Sequence, residues 1–326
     1  MLLADILALG CILRAAVQTL TSQRAGTSLG RAGVFRGREA LRSEEKHEGA
    51  WVQSGGWTMT RRSQGADGGW WGDTTLGIGQ RGVWRIGALQ LYVERHPGEW
   101  LVAHWSSGDE TDTSLGFEIV QDLLPLPGDA EVKRFAVGRP DTLLHLAPVL
   151  PDRPMVSLPE HPFHVLAGEE VRIFVSCPLW VSVQAGKKER PLTEIPIYRS
   201  SDTWFGPNTR EGELAYASRT RCRSSLEALP RRPQRAVVPV VVRNRSEETL
   251  VIERLNLPVP HLPLYLGADG GLWTSQVQLA VHAQQGQLDM EIGKKPSEAG
   301  KGGLVAGPRD PAGRSLFTRA IGAMIG

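Results

Sequence analysis

Val83-Trp84-Arg85-Ile86-Gly87-Ala88-Leu89-Gln90-Leu91-Tyr92-Val93-Glu94-Arg95, then His96-Pro97-Gly98-Glu99, then Trp100-Leu101-Val102-Ala103-His104-Trp105, is the stretch that decides the fold class. The first run ends in a clean alternation of apolar and polar residues. Period 2 sends successive side chains to opposite faces of a strand, and branched and aromatic residues favour that pleated surface. Pro97 presets its own φ and Gly98 supplies the positive φ that a tight turn needs. The two runs therefore read as an antiparallel hairpin.

Outward from this hairpin the same grammar recurs. Strand-like runs lie at 132–137, 142–147, 171–176 and 179–184, punctuated by Pro148, Pro151, Pro154, Pro159 and Pro162. A further strand at 237–243 runs into the polar turn Asn244-Arg245-Ser246-Glu247-Glu248 and a return strand at 249–252, which reads as an immunoglobulin-like hairpin. Many short strands between proline and glycine turns, with no long helical period, predict an all-β protein. The expected architecture is antiparallel β-sandwich units, immunoglobulin-like or jelly-roll-like.

The ends differ from this body. Residues 1–69 open on an apolar run broken by Asp5, Arg14 and Gln18, then turn rich in Gly, Arg and Ser without period 2 or 3.6. This composition predicts a disordered or non-native extension after an optional first helix. The expected units are then a β-rich domain at 70–197 and a second β-sandwich unit at 198–292. Residues 293–326 read as a linker followed by a C-terminal amphipathic helix. Asp310-Pro311 is the N-cap and first-turn signal of that helix, and Leu316, Phe317, Ala320, Ile321 and Met324 are its apolar face.

Composition removes several function classes. A net charge of +2 over 326 residues gives no field that would draw nucleic acid or an anionic membrane. The apolar start falls short of the roughly 20 residues of a membrane span. Cys11, Cys177 and Cys222 make no CxxC and no framework, so reduced, buried thiols and a cytoplasmic location are expected. His161-Pro162-Phe163-His164 lacks the acids or cysteines of a metal site, and the Gly-rich runs open no helix, so neither a metal nor another cofactor is expected.

Two constellations remain. Asp202, Trp204, Glu211, Glu213 and Tyr216 gather acids and aromatics around turn formers. On a strand, Glu211 and Glu213 would share a face, as a pair dividing acid and base roles requires, and Trp204 and Tyr216 would offer a stacking platform. The simpler reading pairs these acids with Arg210 and Arg219. The second constellation is Arg219, Arg221 and Arg223, which at period 2 share one strand face. From Arg219 to Arg245 there are eight arginines against one acid, Glu227. Such a face persists when neighbouring acids neutralise it or when it meets an anion. No aromatic residues interleave to stack on bases, which argues against nucleic acid.

Trp204-Phe205-Gly206-Pro207, Glu211-Gly212-Glu213-Leu214-Ala215-Tyr216, Arg254-Leu255-Asn256-Leu257-Pro258-Val259-Pro260 and Leu272-Trp273-Thr274 resemble an uncharacterised prokaryotic domain-of-unknown-function family, the 432 series. The resemblance covers residues 70–292 and carries no activity, so it brings no catalytic residue. From the residues themselves, the expectation is a non-enzymatic binding or interaction module. Its contact face comprises Trp204, Arg210, Tyr216, Arg219, Arg221 and Arg223, and its partner is an anionic ligand or an acidic protein. The alternative is a hydrolase-like or glycan-active enzyme using Glu211 and Glu213.

Overall fold

A computed structural model describes residues 69–121, 125–138, 141–206, 210–220, 222–282, 288–311 and 315–318, without the side chains of 219, 220, 288 and 315–318. These residues fall within one compact unit, Trp57–Gly326. The expected extension at 1–69 lies outside the described residues except for Gly69.

Within those residues the fold is all-β, with two single-turn 3₁₀ segments at Val259–His261 and Ser297–Ala299. The first sheet has the order β5 (Leu115–Val120), β2 (Arg81–Ile86), β3 (Leu89–His96), β4 (Glu99–Ser106), β6 (Glu131–Ala136). The β3–β4 hairpin turns at Pro97-Gly98, with His96 opposite Glu99 and Gly98 at φ 76°, as its turn chemistry dictates. The run before it is itself a hairpin. It breaks at Gly87, where φ is 55° and an added Cβ would lie 2.8 Å from the Asp112 carbonyl oxygen.

A second sheet runs β1 (Gly72–Thr75), β7 (Leu143–Val149), β11 (Trp180–Ala185), β12 (Arg190–Pro196). A third runs β13 (Ser201–Phe205), β14 (Glu213–Thr220), β8 (Met155–Pro159), β17 (Leu255–Leu257), with β14 and β8 parallel. β9 (Phe163–Val165) and β16 (Leu250–Ile252) pair on their own.

The largest sheet is built on β15 (Arg235–Arg245). On one side lies β10 (Glu170–Pro178); on the other, β19 (Leu272–Thr274) and β20 (Val277–His282) follow one another. β18 (Leu264–Leu266) and β22 (Leu304–Ala306) extend the β19 end, and β21 (Leu288–Ile292) and β23 (Ser315–Thr318) extend the β20 end.

Two expectations are corrected. The strand at 237–243 and the run at 249–252 do not form a hairpin, because β16 pairs with β9 instead. Asn244 explains the diversion: its buried side-chain amide donates to the carbonyls of Val165, Leu166 and Glu248, pinning the turn to the end of β9. The C-terminal helix is not formed at Ser315–Thr318, which pair as a strand with β21, Leu316 opposite Met290. Leu316 and Phe317 had fitted a helical face, but the open edge of β21 offers backbone partners that an isolated short helix lacks. Residues 319–326 lie outside the described residues.

One hydrophobic cluster takes residues from all five sheets, among them Trp84, Trp100, Leu146, Val183, Leu257 and Val240. Its members come from both sides of residue 197, and the β10–β15 and β14–β8 pairs cross that position. The Pro-rich crossing at 255–264 is core: Leu257, Val259 and Leu264 are buried. Leu257 has no exposed surface, so Leu257→Ala should cost about 2–5 kcal/mol through lost contacts and a cavity. Urea melts will show this; an unchanged midpoint would place the core elsewhere.

Candidate functional site

One face of the large sheet is polar where a core face would be apolar. Paired residues on neighbouring strands share a face. Arg172 of β10 lies beside Val241 of β15, Val241 beside Gln278 of β20, and Gln278 beside Glu291 of β21. The next row holds Glu170, Arg243, Ala280 and Asp289. Further along, the same face is closed by Phe174, Val237 and Trp273 under Leu229 and Ala299.

The open part of this face is the floor of a groove of about 850 Å³, lined among others by Arg172, Gln276, Gln278, Glu291, Lys294 and Lys295. That volume is in the range of small-molecule sites. Arg172 forms an ion pair with Glu298 and donates to Gln276 Oε1 at 2.6 Å. Arg243 meets Glu170 at 2.5 Å and donates to Gln278 Oε1 at 3.0 Å. Lys295 donates to the Gly302 carbonyl and lies 5.6 Å from the centre of the Tyr265 ring. Gln276 is fixed by its backbone as well: its N–H donates to Lys294 and its carbonyl accepts from Gly293.

The residues expected from sequence are placed differently. β13 and β14 do form a hairpin, with Trp204 opposite Leu214 and both 44% exposed. Glu213 opens β14, and its Oε1 accepts from Asn256 Nδ2 at 2.8 Å. Glu211 precedes the strand, in the neck of the hairpin, where an added Cβ on Gly206 would lie 2.1 Å from the Glu211 carbonyl oxygen. The two carboxylates therefore do not share a strand face.

Tyr216 is buried, and its hydroxyl donates to Asp152 at 2.8 Å. Burial first, then Asp152, pushes its phenol above the ordinary value. The cleft beside it, between Trp180, Tyr198 and Tyr216, holds about 10 Å³. That is room for one water, not for a sugar ring. Asp202 is taken by Arg153 and Arg199, each at 3.3 Å.

The arginine run is dispersed. β14 ends at Thr220, and Arg223 bridges to Phe174 through backbone hydrogen bonds of 2.7 and 3.1 Å. Arg221 and the side chain of Arg219 lie outside the described residues. Arg231 pairs with Asp269 at 2.6 Å over the Trp273 ring, and Arg232 donates to the Glu110 carbonyl at 2.9 Å. Arg235 donates to Ser176 Oγ at 2.7 Å and Ser176 O at 2.8 Å.

Among the described residues no group of three or more His, Cys, Asp or Glu is placed to hold a metal ion. No helix among them is long and apolar enough to cross a membrane. The groove was missed in the sequence because its residues come from separate strands. One local signal existed: Gln278 is a polar position between Val277 and Leu279 in an alternating run.

The described residues define an all-β domain with a polar groove over its largest sheet. The chain belongs to the family described as "Protein of unknown function (DUF432)", whose model matches residues 70–325. Comparison with curated proteins gives no match, and comparison with solved structures gives none.

Cys177 and Cys222 are buried and are not joined in a disulfide. Burial pushes the Cys177 thiol up from 9.0 to about 12, against a smaller opposing effect of Arg235. Cys177 should resist iodoacetamide at pH 8 until the protein unfolds, since the thiolate is the reactive form. Below the ordinary thiol value the group is protonated folded and unfolded alike. Above it only the unfolded thiol ionises, so stability falls as pH rises from 9.0 towards about 12. Urea melts of wild type and Cys177→Ala across that window test this; equal slopes would refute it.

Proposed function

We propose that this protein is a non-enzymatic β-sandwich binding module that takes an anionic ligand, or the acidic surface of a protein, in the groove over β10, β15, β20 and β21. The observation that carries the reading is the donor-rich groove of about 850 Å³, with Arg172, Lys294 and Lys295 in its lining against the single acid Glu291. Acceptor-bearing anions suit such a set, because charge-assisted hydrogen bonds are the strong ones. Trp204 and Leu214, exposed side by side on β13 and β14, support a secondary contact there, with Arg210 at the end of that hairpin. The cytoplasmic placement rests on the sequence, which shows neither a cysteine framework nor a membrane-length apolar run.

Titration with heparin and with polyglutamate at low and high salt tests the reading. Binding should weaken as ionic strength rises. Lys294→Glu should weaken it about tenfold, the scale of one charged hydrogen bond. Arg210→Glu, on the other hairpin, should change it little. Anion binding indifferent to Lys294→Glu, or no binding of either polymer, would remove the groove from the function.

A further inference from the structure

We propose that the ligand of this groove is an acidic sugar, a saccharide that carries a carboxylate beside its hydroxyl groups; this rests on the binding reading above. Arginine has donors and no acceptor. Arg172 and Arg243 therefore meet the amide oxygens of Gln276 and Gln278, at 2.6 and 3.0 Å. Each amide is locked with its NH₂ group turned away from the arginine, and among the described residues neither NH₂ has a protein partner. The lining thus includes two neutral side-chain donors, the amides of Gln276 and Gln278.

Two charged groups complete the set. Lys294 is exposed in the lining and forms no ion pair among the described residues. Glu291 stands beside Gln278 on the floor and likewise forms no ion pair among them. A ligand made only of oxyanions would be repelled by Glu291. A ligand made only of hydroxyls would leave the Lys294 ammonium without a counter-charge. A uronic-acid saccharide satisfies both: its hydroxyls donate to Glu291 and accept from the glutamine amides, and its carboxylate meets Lys294. A free amino acid also carries both signs, but it would fill only a small part of a groove of about 850 Å³.

The test uses the full chain and calorimetric titration with four probes: a galacturonate oligosaccharide, its uncharged methyl ester, polyglutamate, and free glutamate as the amino acid. Galacturonate should bind, the ester about tenfold more weakly, and Lys294→Gln should remove most of that difference. The deciding variant is Glu291→Ala. It should weaken galacturonate about fivefold to tenfold while tightening polyglutamate, because it removes an acceptor for hydroxyls and a repulsion for carboxylates. Both side chains are exposed, and an unchanged melting temperature will show that the variants fold. The acidic-sugar assignment falls if Glu291→Ala tightens galacturonate, if polyglutamate or a free amino acid binds better than galacturonate, or if galacturonate does not bind. The binding reading falls separately, if Lys294→Glu alters the binding of no anionic probe.

Discussion

Pro239 sits in the middle of β15, a long and largely buried strand, and the arrangement of the large sheet follows from accommodating it. Proline has no N–H to give to a ladder and is normally kept to sheet edges and bulges. Here β15 has neighbours on both sides. On the β10 side Pro239 lies opposite Phe174, whose backbone groups are engaged with Arg223 instead. Pro239 is thus in a non-hydrogen-bonded pair there, and its nitrogen faces the other side. On that side the ladder is interrupted. Val237 pairs with Trp273 and Val240 with Val277, so Val238 and Pro239 face Thr274, Ser275 and Gln276, one residue too many. The bulge satisfies the proline and separates β19 from β20. It also releases Gln276 to bond with Gly293 and Lys294. The groove lies at this break, so its position follows from a missing backbone donor.

What could be read from the sequence was local. The Pro97-Gly98 hairpin, the positions of β6, β7, β10 and β11, and the burial of Leu257 and Val259 follow from periodicity and turn chemistry within a few residues. Pairings between distant segments were not legible. A strand at 249–252 carries no mark that its partner is β9 rather than the preceding strand; the choice lies with three carbonyls that Asn244 reaches. The same limit hid the candidate site. Arg172 and Arg243 are ordinary polar positions on alternating strands until β10, β15 and β20 are laid side by side. The Glu211–Glu213 pair failed for a related reason. Two-residue spacing gives a common face only inside a strand, and the strand begins at Glu213.

The arginines, so dense from Arg219 to Arg245, show why a charge run in sequence is a poor guide to a surface. Four of the six whose side chains are described go to different elements: Arg231 to Asp269, Arg232 to the Glu110 carbonyl, Arg235 to Ser176, Arg243 to Glu170 and Gln278. Outside the run the pattern is the same. Arg95, nearly fully buried, donates to the carbonyls of Asp141, His96 and Glu99 above the Trp100 ring. Arg309 fastens the segment after β22 by donating to the Leu150 carbonyl and pairing with Glu194, with its guanidinium over Trp180.

Strands this short leave many carbonyls at their ends without ladder partners, and a planar group with five donors can answer several at once. In the groove the same property has a different result. Arg172 and Arg243 satisfy the oxygens of two glutamines and so fix which atoms those glutamines present. A donor held by a side chain on a sheet loses little freedom when it meets a ligand, and a loop-borne donor loses more. The feature that makes arginine a structural pin elsewhere in the molecule is what would suit this sheet face to the proposed binding.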